Sequence, residues 1–452
     1  MHSKPDLSST DLLIIGTGPA GLAAALAAAP SGARITVLDD NIAPGGQIWR
    51  DGPAAVLPAQ ALRLREAVAG CANVQVHCGT RVISFVGTNA LLLEDAERGW
   101  TQHFDTLILC TGARELLLPF PGWTLPGVTG AGGLQALIKA GLPVRGERIV
   151  IAGSGPLLLA AAATARKAGA QVLRVAEQAS LKSVAAFAAQ LARWPSKALQ
   201  ALTLADPSYR AGTLLVAAQG QQQVESVQLR RAGRTSSIAC ERVASGFGLV
   251  PNTQLGQLLG CALTHASGGT QALRVDPLQA TSVPGIYAAG ECTGFGGAES
   301  ALVQGRIAGL AAVNETRAAQ ALWPERARWE AFAGQLSRHF VLDPALRQMP
   351  RADTLVCRCE DVTHAALSDC SGWTDAKLRS RCGMGACQGR VCGAAAQFLF
   401  GWTPPAPRPP LSPARISTLL GASADAPGSK PVPRSCQGAD TPSKDNPLAS
   451  NH

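Results

Sequence analysis

At 452 residues, 46% of them apolar but only 4% aromatic, the chain is too long for one ordinary domain, and its Ala, Gly and Leu suit tightly packed helix-on-sheet layers. Its net charge of +9 comes from scattered basic residues without aromatic–basic interleaving, which argues against nucleic-acid binding. Thirteen cysteines, an odd number crowded toward one end, exclude a secreted disulfide scaffold and point to metal chemistry in a reducing, cytoplasmic setting.

Met1 to Thr10 is polar. Asp11 to Ile15 predicts a short buried parallel strand, followed at once by Gly16-Thr-Gly18-Pro19-Ala20-Gly21 and an Ala/Leu helix to about Ala29. Gly16, Gly18, Pro19 and Gly21 interrupt the apolar run, so it reads as strand, turn and helix rather than a membrane span or signal peptide. Arg34 to Leu38 predicts the next strand, ending at Asp39, and completes a βαβ unit. In such a unit the first Gly allows the tight turn, the second admits a pyrophosphate, and the third lets helix and strand pack closely. The helix N-terminus attracts the phosphates, and the acid at position 39 stands where a ribose hydroxyl is bound. Downstream come Pro44-Gly-Gly46-Gln47, a strand from Leu107 running into Thr111-Gly112, and a late strand from Gly285 to Gly290 followed by Glu291 and a Gly-rich helix start.

Glu147 to Ala152 predicts a further strand, then Gly153-Ser-Gly155-Pro-Leu-Leu158, an Ala-rich helix and the strand Gln171 to Val175. This second βαβ unit has Leu158 where the third glycine belongs. NAD(P) binding and a relic that keeps only the fold both remain open, and the missing glycine favours the relic. From Ser180 to Arg210, the residues Arg193, Trp194 and Lys197 read as a solvated helix face. His77, His103, His265, His339 and His364 stand alone, and no acid–base pair or nucleophile is evident.

No Cys-x-x-Cys occurs, which argues against thioredoxin-style exchange. Cys71, Cys78, Cys110, Cys240, Cys261 and Cys292 are isolated and read as small buried hydrophobes. Cys357-Arg-Cys359 and Cys387-Gln-Gly-Arg-Val-Cys392 form two close pairs that can hold one metal centre, either a [2Fe–2S] cluster or a tetrahedral zinc ion. Cys370 and Cys382 are extra. From Thr403 the chain turns Pro-rich and then Ser/Asp/Lys-rich, with Cys436 inside it, which predicts a largely disordered tail.

The stretches DLLIIGTGPAGLAAA, PGGQIWR and GIYAAGECTGFGGAE resemble the two-dinucleotide-domain flavoproteins that include thioredoxin reductase. With GFGLVPNT and VCRCEDVT…LRSRCGMGACQGRVCG, nearly the whole chain resembles the A subunits of bacterial opine oxidases and D-hydroxyproline dehydrogenases, whose C-terminal [2Fe–2S] domain is of the bacterioferritin-associated ferredoxin type. The resemblance implies FAD on Gly16, Gly18, Pro19, Ala20, Gly21, Asp39, Gly46, Gln47, Thr111, Gly112, Gly290 and Glu291, with Glu291 in place of the usual Asp. It implies a [2Fe–2S] cluster on Cys357, Cys359, Cys387 and Cys392, with Cys382 outside the pattern.

The expected fold is therefore α/β, with two Rossmann-like domains, one split around the other, and a small, mainly helical cluster domain. The expected boundaries are 11–122 with 276–341 for FAD, 123–275 for the second domain, 342–402 for the cluster and 403–452 for the tail. The resemblance implies an electron-transfer role within a complex. Its partners there would be a substrate-oxidising flavoprotein subunit, a small third subunit, plus, through the complex, an amine or imino-acid substrate. A similar subunit occurs in hydrogen cyanide synthase, which stands as a more distant option. The alternatives are a self-contained NAD(P)H-dependent reductase and a zinc-holding assembly subunit.

Overall fold

A computed structural model describes residues 9–87, 89–266 and 269–424. Its first sheet contains β1 (Ser9–Ile15), β2 (Ile35–Asp39), β3 (Val74–Cys78), β4 (Arg81–Phe85), β5 (Ala90–Glu94) and β6 (Gly99–Leu109), in the order β3-β2-β1-β6-β5-β4. The late strand Ile286–Ala288 joins β6 in parallel. β3, β2, β1 and β6 run parallel, whereas β4, β5 and β6 form an antiparallel meander. Every residue of β2 is buried, as expected of a parallel strand covered on both faces. Helices Pro19–Ala28 and Gly297–Ala312 lie against each other on one face. Their contact is so close that a Cβ on Gly305 would stand 2.1 Å from the Ala20 carbonyl, and one on Gly309 2.2 Å from that of Ala24.

The second sheet is parallel and orders its strands Tyr209–Arg210, Gln171–Glu177, Arg148–Gly153, Arg242–Gly246 and Val128–Gly130. Alternation along Arg148–Gly153 serves both faces. Ile149 and Ile151 pack with Leu158 and Ala161, whereas Val150 and Ala152 pack with Leu215 and Val227 from an antiparallel three-stranded sheet.

The chain crosses between the two cores on a two-stranded ribbon in which Ala113–Glu115 pairs with Leu249–Pro251. Leu116, Leu118 and Phe120 already belong to the second core, and Leu255, Cys261 and Leu273 to the first. The packing thus passes from one core to the other near residues 115 and 252. Trp194 is also not solvated: it is buried with Phe187, Trp329 and Phe332. Lys197 pairs with Glu299 at 2.7 Å and stands over the Trp329 and Phe332 rings.

The C-terminal domain packs Val356, Val362, Leu367 and Trp373 around its cysteines. The chain beyond it departs from the expectation of disorder. Leu411 N–H donates to the Ile83 carbonyl at 2.6 Å, and helix Ile416–Ala424 docks beside β6. Glu94 accepts from the Arg415 amide at 2.9 Å and the Thr418 hydroxyl at 2.6 Å. A Pro-rich composition forbids regular structure, but it does not forbid a strap whose few polar groups find partners on a sheet. The rest of the tail, with Cys436, lies outside the described residues. Among the described residues no helix is long and apolar enough to cross a membrane.

Candidate functional site: a dinucleotide cavity beside a cysteine cluster

The turn after β1 is built as its glycines require. Gly16 has φ 111°, and a Cβ there would stand 2.2 Å from the Cys110 carbonyl. A Cβ on Gly21 would stand 1.8 Å from the Gly16 carbonyl. At Gly18 the nearest neighbour of such an atom is the Gly46 Cα, at 3.9 Å, so this position faces open space at the N-terminus of helix Pro19–Ala28. That space is part of a cavity of about 590 Å³. It is lined by Gly16, Gly18, Pro19, Ala20, Asp39, Gly46, Gln47, Thr111, Gly112, Gly290 and Glu291, which is every expected FAD residue except Gly21. Gly21 serves packing instead.

Asp39 is buried and acts first as a clasp. Its Oδ2 accepts from the amide and hydroxyl of Thr17, both at 2.6 Å, and its Oδ1 from the amide and side chain of Asn41 at 2.8 and 2.7 Å. The carboxylate thereby fixes the Gly-rich turn as well as facing the cavity. Burial pushes the Glu291 carboxyl up to about 6. The N-terminal residues Gly297 and Ala298 of the late helix also line the cavity, and the helix dipole favours negative charge there. An elongated cavity with two helix N-termini and a bare glycine fits a dinucleotide.

The cavity has walls that sequence reasoning missed: Arg114, Asn252, Arg390, Leu411 and Ser412. The Asn252 side chain donates to the Thr111 carbonyl at 2.9 Å and accepts from Arg114 at 3.0 Å. Arg114 also donates to the Arg390 carbonyl at 2.9 Å. Burial, followed by the charge of Arg390, lowers the Arg114 guanidinium to about 10, so it stays charged at neutral pH. Arg390 lies between Cys387 and Cys392 in the sequence, so the same main chain borders the dinucleotide cavity and the cysteines.

Cys357, Cys359, Cys387 and Cys392 line one small cavity with Leu117, Arg358 and Val391. Cys357 and Cys392 are buried, Cys387 is half-buried and Cys359 is exposed. The hydrogen bond between Cys392 and Cys387 holds Cys387 well below the ordinary thiol range, whereas contact with Cys382 pushes Cys392 up. Four converging thiols, one inclined to ionise first, are a donor set that fits a thiophilic metal centre. Cys382, expected outside this set, is buried, and its sulfur lies within 4.8 Å of those of Cys357 and Cys392. Cys370 is not in that group. Of the isolated cysteines, Cys110, Cys240, Cys261 and Cys292 are buried as expected, whereas Cys71 and Cys78 are only half-buried, and Cys110 also lines the dinucleotide cavity.

The second Gly-rich loop is braced by the protein itself, although a Cβ on Gly155 would meet nothing within 4 Å. Leu158 is fully buried in the local core. Glu177 accepts from the Gly155 amide at 2.7 Å and the Ala179 amide at 2.8 Å. The Gln178 side chain donates to Ser154 Oγ and to the Val341 carbonyl, both at 3.0 Å, and accepts from the Asp343 amide, also at 3.0 Å. The segment leading to the cysteine domain is thereby laced to the loop where a second pyrophosphate would lie.

Residues 10–314 match the model of the pyridine nucleotide-disulphide oxidoreductase family. The chain belongs to that family. It is accordingly a flavoprotein-type oxidoreductase with Rossmann-like domains, and FAD is the dinucleotide its family supports. It is 32% identical to the A subunit of opine oxidase from Rhizobium meliloti (strain 1021) over 419 residues, covering 86% of this chain and 91% of that protein. It is 31% identical to the HcnB subunit of hydrogen cyanide synthase from Pseudomonas protegens over 424 residues, covering 85% and 90%. The cyanide synthase protein is therefore as similar as the opine oxidase one, not more distant. Among solved structures, L-proline dehydrogenase from P. horikoshii shares the fold with a TM-score of 0.64 at 17% identity, covering 92% of this chain and 81% of that one.

For this oxidoreductase, Glu177 gives a test by pH. Burial pushes its carboxyl up to about 7 from 4.5, although the Ala179 and Gly155 amides oppose the shift. A raised carboxyl stabilises the fold fully below 4.5, and that contribution is lost as pH rises through about 7. The loss amounts to about 3 kcal/mol. Glu177→Gln, which cannot ionise, is expected to melt below the wild type at acid pH, with the gap narrowing toward pH 7. A gap independent of pH in thermal melts would refute this account of Glu177.

Proposed function

We propose that this chain is the FAD- and [2Fe–2S]-containing electron-transfer subunit of a heteromeric amino- or imino-acid dehydrogenase of the opine or D-hydroxyproline type. The observation that carries the reading is the shared wall: Arg114 and Arg390 border the dinucleotide cavity, and Arg390 belongs to the loop joining Cys387 to Cys392. FAD would be held by the Gly16–Gly21 turn, Gly46, Gln47, Thr111, Gly112, Gly290 and Glu291, with Asp39 fixing the turn and facing the ribose. The cluster would be held by Cys357, Cys359, Cys387 and Cys392. When bound, the two groups supply the redox chemistry, and the protein supplies position, dryness and charge. Arg114 places a half-buried positive charge on the wall of the dinucleotide cavity, which favours a reduced, more negative cofactor there.

The opine oxidase and sarcosine oxidase relatives are by name subunits of larger enzymes, which supports a partner that carries the substrate oxidation. The candidate partners, acting in the cytoplasm, are a small third subunit plus a substrate-oxidising flavoprotein. Leu158 in place of the third glycine, with Val341 and Asp343 laced to Gln178 beside the second loop, favours an acceptor other than NAD(P) over a self-contained NAD(P)H reductase.

The test is purification of the full chain with its native neighbours. Flavin absorption, iron, acid-labile sulfide and a co-purifying flavoprotein are expected. Flavin without iron and sulfide sinks the cluster. Amine oxidation by the chain alone sinks the subunit reading, and rapid flavin reduction by NADH sinks the reading of an acceptor other than NAD(P).

A further inference from the structure

Cys382 is the cysteine that the two close pairs leave over, yet it is 0% exposed. Its sulfur, with those of Cys357 and Cys392, forms a triangle in which all three lie within 4.8 Å of one another. The local chain explains the placement. Helix Trp373–Ser380 ends at Arg381 with φ 64°, and Gly383 follows with φ 78°, so the backbone reverses around Cys382 and turns its side chain inward. The Trp373 indole closes over this loop. A Cβ on Gly383 would stand 2.5 Å from the ring and one on Gly389 3.1 Å from it.

A buried cysteine can be only a small hydrophobe. Cys382 differs from Cys240 and Cys261 in its neighbours, which are two of the proposed ligands. Thiolate sulfurs lie about 2.3 Å from a tetrahedral metal ion and therefore about 3.8 Å from each other. The three sulfurs of the triangle are thus within a small side-chain adjustment of sharing one ion. Cys359 is exposed and outside the triangle.

We propose that Cys382 is a fifth, ligand-competent thiol that replaces Cys392 or Cys357 when either is lost, giving up its proton as its sulfur binds the metal. The two buried ligand positions are then backed by a reserve, while Cys359 and Cys387 have none. The proposal rests on the metal-centre reading above.

The test measures metal and sulfide per chain, with visible and electron paramagnetic resonance spectra, on the full-length protein. Cys382→Ala is expected to keep the wild-type metal content. Cys392→Ala is expected to keep most of it with a changed spectrum, and the Cys382→Ala/Cys392→Ala pair is expected to lose it. Cys387→Ala should lose it whether or not Cys382 is present. Flavin content and thermal melting check folding, and Cys357→Ala, alone and with Cys382→Ala, repeats the test if Cys392→Ala does not fold. Loss of metal in both Cys392→Ala and Cys357→Ala with Cys382 intact overturns the proposal, as does loss in Cys382→Ala alone. Zinc in place of iron and sulfide in the wild type sinks the cluster, but the same variants still decide the role of Cys382 by their zinc content. A wild type that binds neither overturns both.

Discussion

Gly18→Ala is expected to give a folded chain that has lost its hold on flavin, whereas Gly21→Ala is expected to lose both flavin and stability. The contrast follows from what each new methyl group meets. At Gly21 it would stand 1.8 Å from the Gly16 carbonyl, so helix Pro19–Ala28 must move away from the turn it follows. Overpacking of this kind costs about 1–3 kcal/mol or more. It also moves the helix N-terminus that the phosphates need. At Gly18 the backbone has φ −66°, which alanine adopts freely, and no protein atom lies closer than 3.9 Å. The substitution should leave the melting temperature close to that of the wild type, because fewer unfolded conformations offset any small loss. The methyl group instead enters the space reserved for the pyrophosphate. If the bound state carries a clash of about 1–3 kcal/mol, flavin affinity falls roughly ten- to hundredfold. Flavin absorbance per chain and thermal melting read the two effects separately. A Gly18→Ala protein with full flavin at wild-type affinity would show that the pyrophosphate lies elsewhere.

The parts of this site legible in the sequence are those in which local chemistry and local geometry coincide. The Gly16–Gly21 turn is readable because strand, turn and helix are contiguous and each glycine has its own steric reason. The two close cysteine pairs are readable because residues near in sequence are near in space. What stays hidden depends on contacts between distant segments. Arg114 looks like any arginine after a strand, and its meaning comes from Arg390, 276 residues away. The lacing of the second loop requires Val341 and Asp343 to return onto Gln178, which no spacing announces. Cys382 falls outside both pairs, and pairing in sequence does not rank thiols in space. The Arg381 and Gly383 turn shows that a cysteine five positions from Cys387 can be delivered to the same place.

The strap makes the strongest demand on the structure, because composition alone assigns Thr403–Ala424 no function. A chain ending at Trp402 is expected to release flavin more readily and melt lower than one ending at Ala424. Leu411 and Ser412 form part of the cavity wall, and the Arg390 side chain donates to the Leu411 carbonyl at 2.6 Å. Deletion therefore opens the cavity and takes from the Arg390 side chain, which lines it, the acceptor that holds it. It also leaves Glu94 without the Thr418 hydroxyl and the Arg415 amide. Each hydrogen bond replaced by one to water loses about 0.5–1.5 kcal/mol. The Glu94 contribution has a definite pH signature. Burial pushes its carboxyl up, but the Thr418 and Arg415 hydrogen bonds outweigh burial and leave it below the ordinary value of 4.5. A lowered carboxyl stabilises the fold above 4.5, and this contribution is lost as pH falls through the folded-state value. The difference in melting temperature between the two chains should accordingly be large at neutral pH and shrink in acid. Glu94→Gln in the longer chain should reproduce that loss of pH dependence while retaining flavin, since Leu411 and Ser412 remain in place. If the two chains hold flavin equally and melt together at neutral pH, the strap neither closes the cavity nor braces the sheet.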